Sequence, residues 1–154
     1  MGGVPALKQD GNTIFIYTDG SSLGNPGPGG YGALIRDLSG NEYELSGGEQ
    51  NTTNNRMEMM GVIEAMRFLN NHKVKDRRIV IQTDSQLIVK TFTSGWKKKA
   101  NRDLWKDMDT ELFYLTNRHN VFVWEWIKGH AGHAENERCD VLARTAAGKI
   151  AGNL

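Results

Sequence analysis

Four acidic residues occupy positions from which their carboxylates could meet. Asp19 follows the apolar run 13–18 (Thr-Ile-Phe-Ile-Tyr-Thr), and Asp84 follows the run 78–83 (Arg-Ile-Val-Ile-Gln-Thr). The C-terminal ends of strands are where open α/β sheets place their ligands. If the two strands are parallel neighbours, these carboxylates are adjacent. Adjacent carboxylates raise each other's pKa unless a cation lies between them, so the pair reads as a metal site or a shared-proton dyad. Glu58, in the first turn of a helix, and Asp140, beside the apolar stripe of another, could reach the same rim. Taken singly, each residue has an ordinary explanation. Asp19-Gly20 is turn chemistry and Asp84-Ser85 can cap a helix. Asn55-x-x-Glu58 fits a reciprocal cap, and Asp140 can pair with Arg144 one turn on. None of these explains why carboxylates recur at strand ends and helix edges that could converge on one rim of the sheet.

The elements that must position them follow from periodicity. Residues 13–18 carry β-branched and aromatic side chains without polar alternation, which predicts a strand buried on both faces and ended by Asp19-Gly20. The stretch 24–30 (Gly-Asn-Pro-Gly-Pro-Gly-Gly) concentrates turn formers and predicts a loop. Strands are expected at 31–36 and 42–46, giving an antiparallel meander. The period then changes to about 3.6: Met59, Val62, Ile63, Met66 and Leu69 describe an amphipathic helix over 55–71. A strand at 78–83, helices at 85–93 and 103–117, a strand at 121–127 and a final helix at 134–147 complete the order β-β-β-α-β-α-α-β-α. The buried stripe of that last helix is Cys139, Leu142, Ala143 and Ala146. A meander followed by strands separated by helices implies an α/β fold, a mixed sheet with helices packed on its faces. In the strand at 121–127, Phe122, Trp124 and Trp126 alternate onto one face, and with Trp105 they read as core.

A chain of 154 residues suits one domain. Hydrophobic residues make up 38% and charged residues 24%, which excludes the apolar-poor, charge-rich composition of disordered chains. No apolar run approaches the roughly 18 residues of a spanning helix, and the start of the chain lacks a signal-peptide core. The single cysteine, Cys139, cannot form an internal disulfide, so a reducing, cytoplasmic setting is expected. The formal charge is only +1, yet residues 85–106 hold Lys90, Lys97, Lys98, Lys99, Arg102 and Lys106 against Asp103 alone. A basic patch beside an acidic remainder fits a protein that grips phosphates in one place and holds cations in another; a solvated lysine cluster is the plainer alternative.

The strings Tyr17-Thr-Asp-Gly-Ser-Ser-Leu-Gly-Asn-Pro-Gly-Pro-Gly-Gly-Tyr-Gly32, Thr52-Thr-Asn-Asn-Arg-Met-Glu58, Thr83-Asp-Ser-Gln86 and Trp126-Ile-Lys-Gly-His-Ala-Gly-His-Ala-Glu-Asn-Glu-Arg-Cys-Asp140 closely resemble the bacterial-type ribonuclease H family, type I. The resemblance covers roughly residues 13–147, with the four motifs in the right order. It implies the ribonuclease H-like fold, a five-stranded mixed sheet flanked by helices, with residues 1–12 as a flexible leader and 148–154 as a tail. It also implies cleavage of the RNA strand of RNA–DNA hybrids, leaving 5′-phosphate and 3′-hydroxyl ends.

Carried over position by position, the resemblance makes Asp19, Glu58, Asp84 and Asp140 the metal-binding carboxylates. Two Mg²⁺ ions, for which Mn²⁺ could substitute, would activate the water and stabilise the leaving oxygen. His130, in the loop Lys128-Gly-His-Ala-Gly-His133, would move protons or help product leave. Without the resemblance a lone loop histidine reads as solvated, and His133 keeps that reading. Asn25, Asn54 and Asn55 match positions that line the minor groove of the hybrid, where the 2′-hydroxyl distinguishes RNA from DNA. Thr53, Arg56 and Asn101 lie where the family grips a phosphate of the DNA strand; Arg56 could instead be a structural charge. Trp96 would pack on a deoxyribose while Lys97, Lys98 and Lys99 meet phosphates. Well-known bacterial members carry a longer basic protrusion before the segment matching Asn101-Arg-Asp-Leu-Trp105, and only residues 95–100 stand in its place here. The expected partner is a hybrid duplex, with no membrane and a monomeric protein. Rival readings are a hybrid-binding module weak in catalysis, whose mark would be a missing carboxylate, and a recombination-type DNA nuclease of the same fold.

Overall fold

The computed structural model describes residues 12–128 and 133–152. Five strands form one sheet: β1 (Thr13–Ser22), β2 (Gly27–Asp37), β3 (Glu42–Thr52), β4 (Arg78–Thr83) and β5 (Val121–Trp126). Four helices accompany them among the described residues: α1 (Asn54–Asn71), α2 (Gln86–Ser94), α3 (Arg102–Asn117) and α4 (Ala134–Ile150). The spatial order is β3-β2-β1-β4-β5. β1–β2 and β2–β3 are antiparallel, whereas β1–β4 and β4–β5 are parallel. The meander, the parallel strands and the element order expected from periodicity are all present.

Alternation along β1 explains why the sheet is covered on both sides. Ile14 and Ile16 face one way and pack with Met59, Val62, Ile63 and Met66 of α1 and with Leu104 and Met108 of α3. Phe15 and Tyr17 face the other way, toward Leu34 and Cys139. Each fully buried aliphatic side chain contributes roughly 1.5–3 kcal/mol, so α1, with five such positions in register, is pinned along its length. Its start is fixed by Thr53, whose hydroxyl accepts a hydrogen bond from the Arg56 backbone N–H at 3.2 Å.

Several local expectations are corrected. β1 does not end at Asp19-Gly20: residues 19–22 pair with Gly32, Tyr31, Gly30 and Gly29, so the ladder continues and Asp19 lies inside the strand. The glycines 27–30 belong to β2, and only residues 23–26 form the loop. β3 runs to Thr52 rather than Ser46. Thr53, not Asn55, caps α1, which puts Glu58 in its second turn. Trp126 is not core; β5 is an edge strand and its last tryptophan is 44% exposed, while Trp105 is buried and Trp124 half-buried. α4 passes Ala147 and ends at Ile150, whose carbonyl accepts from Gln50 Nε2 at 2.9 Å, so the first three residues of the expected tail are helix. No helix among the described residues is long and apolar enough to cross a membrane.

Candidate active site

β1 and β4 run parallel with one constant register, Thr13 beside Arg78 through Tyr17 beside Gln82, and the same offset sets Asp19 level with Asp84. α1 crosses above them. It approaches so closely that a Cβ on Gly20 would lie 2.4 Å from the Glu58 backbone nitrogen, which is why a glycine follows Asp19. Carboxylate oxygens of Asp19, Glu58 and Asp84 therefore converge within 4.8 Å of one another.

The electrostatics of that cluster follow from burial. Glu58 is pushed up to about 9, first by desolvation and then by Asp84, which also hydrogen-bonds it, and by Asp19; the Ser85 hydroxyl opposes the shift. Crowding with Asp84 and Asp19 thus favours the protonated form of Glu58 when no cation balances the charge. Asp84 Oδ1 is buried with no hydrogen-bond partner. A cluster of hard oxygens with one orphaned buried lone pair fits a divalent cation. Backbone contacts hold Asp84 in place: the Ser85 N–H donates to Thr83 Oγ1 at 3.1 Å, and Trp126 Nε1 donates to the Asp84 carbonyl at 3.2 Å. Ser85 and Trp126 thus serve the site, a role the sequence reading gave to neither; the Asp84-Ser85 pair offered the only signal. Asp140 stands on α4, where Oδ2 accepts from Arg144 Nε at 2.8 Å. His130 lies outside the described residues.

Beside the carboxylates, the end of β1 and the start of α1 are sewn together by amides. Asn25 Oδ1 accepts from the Asn54 backbone N–H at 3.0 Å, and Asn54 Oδ1 accepts from the Ser22 N–H at 2.7 Å. The Ser22 hydroxyl lies 2.9 Å from Asn25 Oδ1. Both amide oxygens are thereby committed inward, leaving the NH₂ ends of Asn25 and Asn54 without a partner among the described residues. Asn55 joins Trp96, Lys97, Lys99 and Asn101 around a groove of about 630 Å³ floored by Trp105. Lys98 does not join them. It folds back, with Nζ 2.6 Å from Asp109 Oδ2 and 5.8 Å from the centre of the Trp105 ring. Asn101 sits in the left-handed region (φ 57°) at the start of α3, and its Oδ1 accepts from Arg56 Nη1 at 3.3 Å. The Arg56 guanidinium also meets Asp103, with Nη1 3.0 Å from Oδ1 and Nη2 2.8 Å from Oδ2.

A mixed sheet that delivers carboxylates from two parallel strands and a crossing helix to a grooved, basic surface defines a metal-dependent nuclease. The RNase H family model matches residues 11–148. The chain is similar to the Ribonuclease H of Pelobacter propionicus, 49% identical over 152 residues that cover 90% of this chain and 87% of the relative. It is similar also to the Ribonuclease H of Pectobacterium atrosepticum, 51% identical over 147 residues, 87% of this chain and 89% of that one. Among solved structures, LC11-RNase H1 in complex with an RNA/DNA hybrid superposes with a TM-score of 0.71 at 32% identity, covering 90% of this chain and 99% of that one. LC9-RNase H1, a type 1 RNase H with the type 2 active-site motif, gives 0.75 at 34% identity, with 90% and 74% covered. The chain belongs to the RNase H family. It is accordingly an enzyme, a metal-dependent phosphodiester hydrolase that acts on RNA in RNA–DNA hybrids.

Proposed function

We propose that Asp19, Glu58, Asp84 and Asp140 are the residues that hold the metal, that the metal is Mg²⁺ with Mn²⁺ able to replace it, and that two ions are held when substrate is present. When bound, such a pair supplies a nucleophilic water and stabilises the leaving 3′ oxygen of an in-line displacement. The observation that carries this reading is the convergence of three carboxylates from β1, α1 and β4 within 4.8 Å. Asp140, which stands on α4 paired with Arg144, is proposed as the fourth ligand on the strength of the family motif.

The chain's own groups then divide the substrate. The outward amide groups of Asn25 and Asn54 donate to oxygens of the RNA strand, where the 2′-hydroxyl is available to be read. Thr53 and Asn101, at the starts of α1 and α3, take a phosphate of the DNA strand, favoured by the positive ends of both helices. Arg56 keeps Asn101 in place for that contact. Trp96 packs on the DNA sugar while Lys97 and Lys99 offset phosphate charge. His130 moves a proton at the leaving group. A monomer in the cytoplasm is the expected setting, and its one thiol, Cys139, is free and buried.

The test presents end-labelled RNA–DNA hybrid, duplex RNA and duplex DNA of one sequence to the protein, with Mg²⁺ and with chelator. Cleavage confined to the RNA strand of the hybrid, and abolished by chelator, is expected. Cutting of duplex DNA would transfer the protein to the recombination nucleases, and binding without cutting would make it a hybrid-binding module.

A further inference from the structure

We propose that the outer face of α3 is a second nucleic-acid surface, which receives the DNA strand of the hybrid where that strand continues unpaired beyond the cleft; the proposal rests on the hybrid-cleaving reading above. A groove of about 670 Å³ lies there, lined by Lys98, Arg102, Trp105, Lys106, Phe113 and Tyr114. Arg102, Lys106 and Phe113 fall on one stripe of the helix, spanning roughly 16 Å at 1.5 Å per residue.

Charge on this face is unbalanced in one direction. The groove is lined by Lys98, Arg102 and Lys106 against Asp109 alone, and Asp109 pairs with Lys98 at 2.6 Å; Asp103, Asp107 and Glu111 do not line it. Arg102 and Lys106 make no ion pair among the described residues, and both are exposed. At the far end Phe113 is 58% and Tyr114 52% exposed, their rings meeting edge-on with centres 5.6 Å apart. Unpaired cations followed by exposed aromatic rings are the chemistry of single-stranded binding, in which rings stack on bases and cations meet phosphates. A duplex already stacks its bases on one another and has none to offer these rings.

Continuity with the cleft sets which strand arrives. Trp105 is a wall of this groove and also of the one formed by Trp96, Lys97 and Lys99. A DNA strand leaving the second groove would reach the first by passing Lys98, whose ammonium lies 5.8 Å from the centre of the Trp105 ring. The only acidic group in its lining, Asp109, is neutralised by Lys98 on the way.

The experiment compares a blunt hybrid with the same hybrid bearing a short DNA overhang, at either end, by fluorescence anisotropy in chelator. Wild-type protein is expected to bind one overhang hybrid several-fold more tightly than the blunt one. Phe113→Ala/Tyr114→Ala should lose that gain while binding and, with Mg²⁺, cleaving the blunt hybrid as before. Arg102→Gln/Lys106→Gln should lower the salt slope for the overhang hybrid by about 1.4, two single-strand phosphate contacts. Equal affinity for blunt and both overhang hybrids in the wild type, or a gain that survives loss of the two rings, would overturn the proposal. So would a dimer in sedimentation that Phe113→Ala/Tyr114→Ala dissolves, because the rings would then belong to a second copy. Failure of the hybrid-cleaving reading shows separately, as a blunt hybrid left uncut in Mg²⁺.

Discussion

Arg56 of α1 grips Asp103 of α3 with both arms of its guanidinium, Nη2 lying 2.8 Å from Oδ2 and Nη1 3.0 Å from Oδ1. The fork joins the first turns of two helices whose starts, Thr53 and Asn101, are the proposed phosphate contacts, so the ion pair sets the spacing of those two groups. Arg56→Ala should raise KM for the hybrid several-fold with little change in kcat, and cost about 1 kcal/mol of stability in urea unfolding. Arg56→Lys should not restore KM, since a point charge cannot reproduce a planar fork. A loss confined to kcat would refute the positioning role.

Retention of a proton by Glu58 gives the metal-free protein a particular pH dependence. Its folded pKa, about 9, lies above the ordinary value of 4.5, so between these pH values the folded state binds more protons than the unfolded one. Stability of the metal-free protein should therefore fall as pH rises through that window. Asp84→Asn removes the neighbouring charge and should stabilise the metal-free protein at neutral pH by on the order of 1–2 kcal/mol, read as a raised Tm. An unchanged or lowered Tm would count against the crowded carboxylates.

Metal uptake should displace that proton. Calorimetric titration of Mg²⁺ near neutral pH, in buffers of different ionisation enthalpy, is expected to show release of close to one proton per protein. Buffer-independent heats would mean that Glu58 is already ionised.

Asp19→Asn should abolish cleavage while hybrid binding persists, because the change removes a metal ligand and leaves the phosphate contacts in place. Unchanged turnover would sink the assignment of the metal site.

A Cβ on Gly32 would lie 2.5 Å from the Cys139 carbonyl oxygen and 2.6 Å from Leu142 Cβ. Gly32→Ala must push α4 off the sheet, and Asp140 with it. A destabilisation of roughly 1–3 kcal/mol is expected, together with a higher Mg²⁺ requirement for cleavage. Retention of both wild-type values would show that α4 can shift without cost to the site.

Where side chains carry the signal, the sequence was sufficient. The i, i+3, i+4 run from Met59 to Leu69 located α1, and β4 ended at Thr83 as its apolar run does. Glycine was misread because it has two uses. In 27–30 it was taken for turning, whereas Gly29 and Gly30 are strand residues kept small so that Thr52, Met57 and α4 can close over them. The polar stretch after Ser46 hid the second half of β3 because an edge strand has little to bury. Trp126 kept the strand period but stands at the rim of the sheet, so its period did not bury it. The three convergent carboxylates were legible in type and order. The pairings that hold the neighbouring loops, Asn25 to Asn54 and Arg56 to Asp103, join residues far apart in the chain and left no local trace.

Because α4 seats against Gly30 and Gly32, Asp140 takes its place only once β2 is there to receive the helix. On the ribosome β1, α1 and β4 are made first, so a nascent chain can hold Asp19, Glu58 and Asp84 while Asp140 is still unsynthesised or undocked. The helix that carries Asp140 is thus a late keystone, and its seating depends on two strand positions with no side chain to obstruct it.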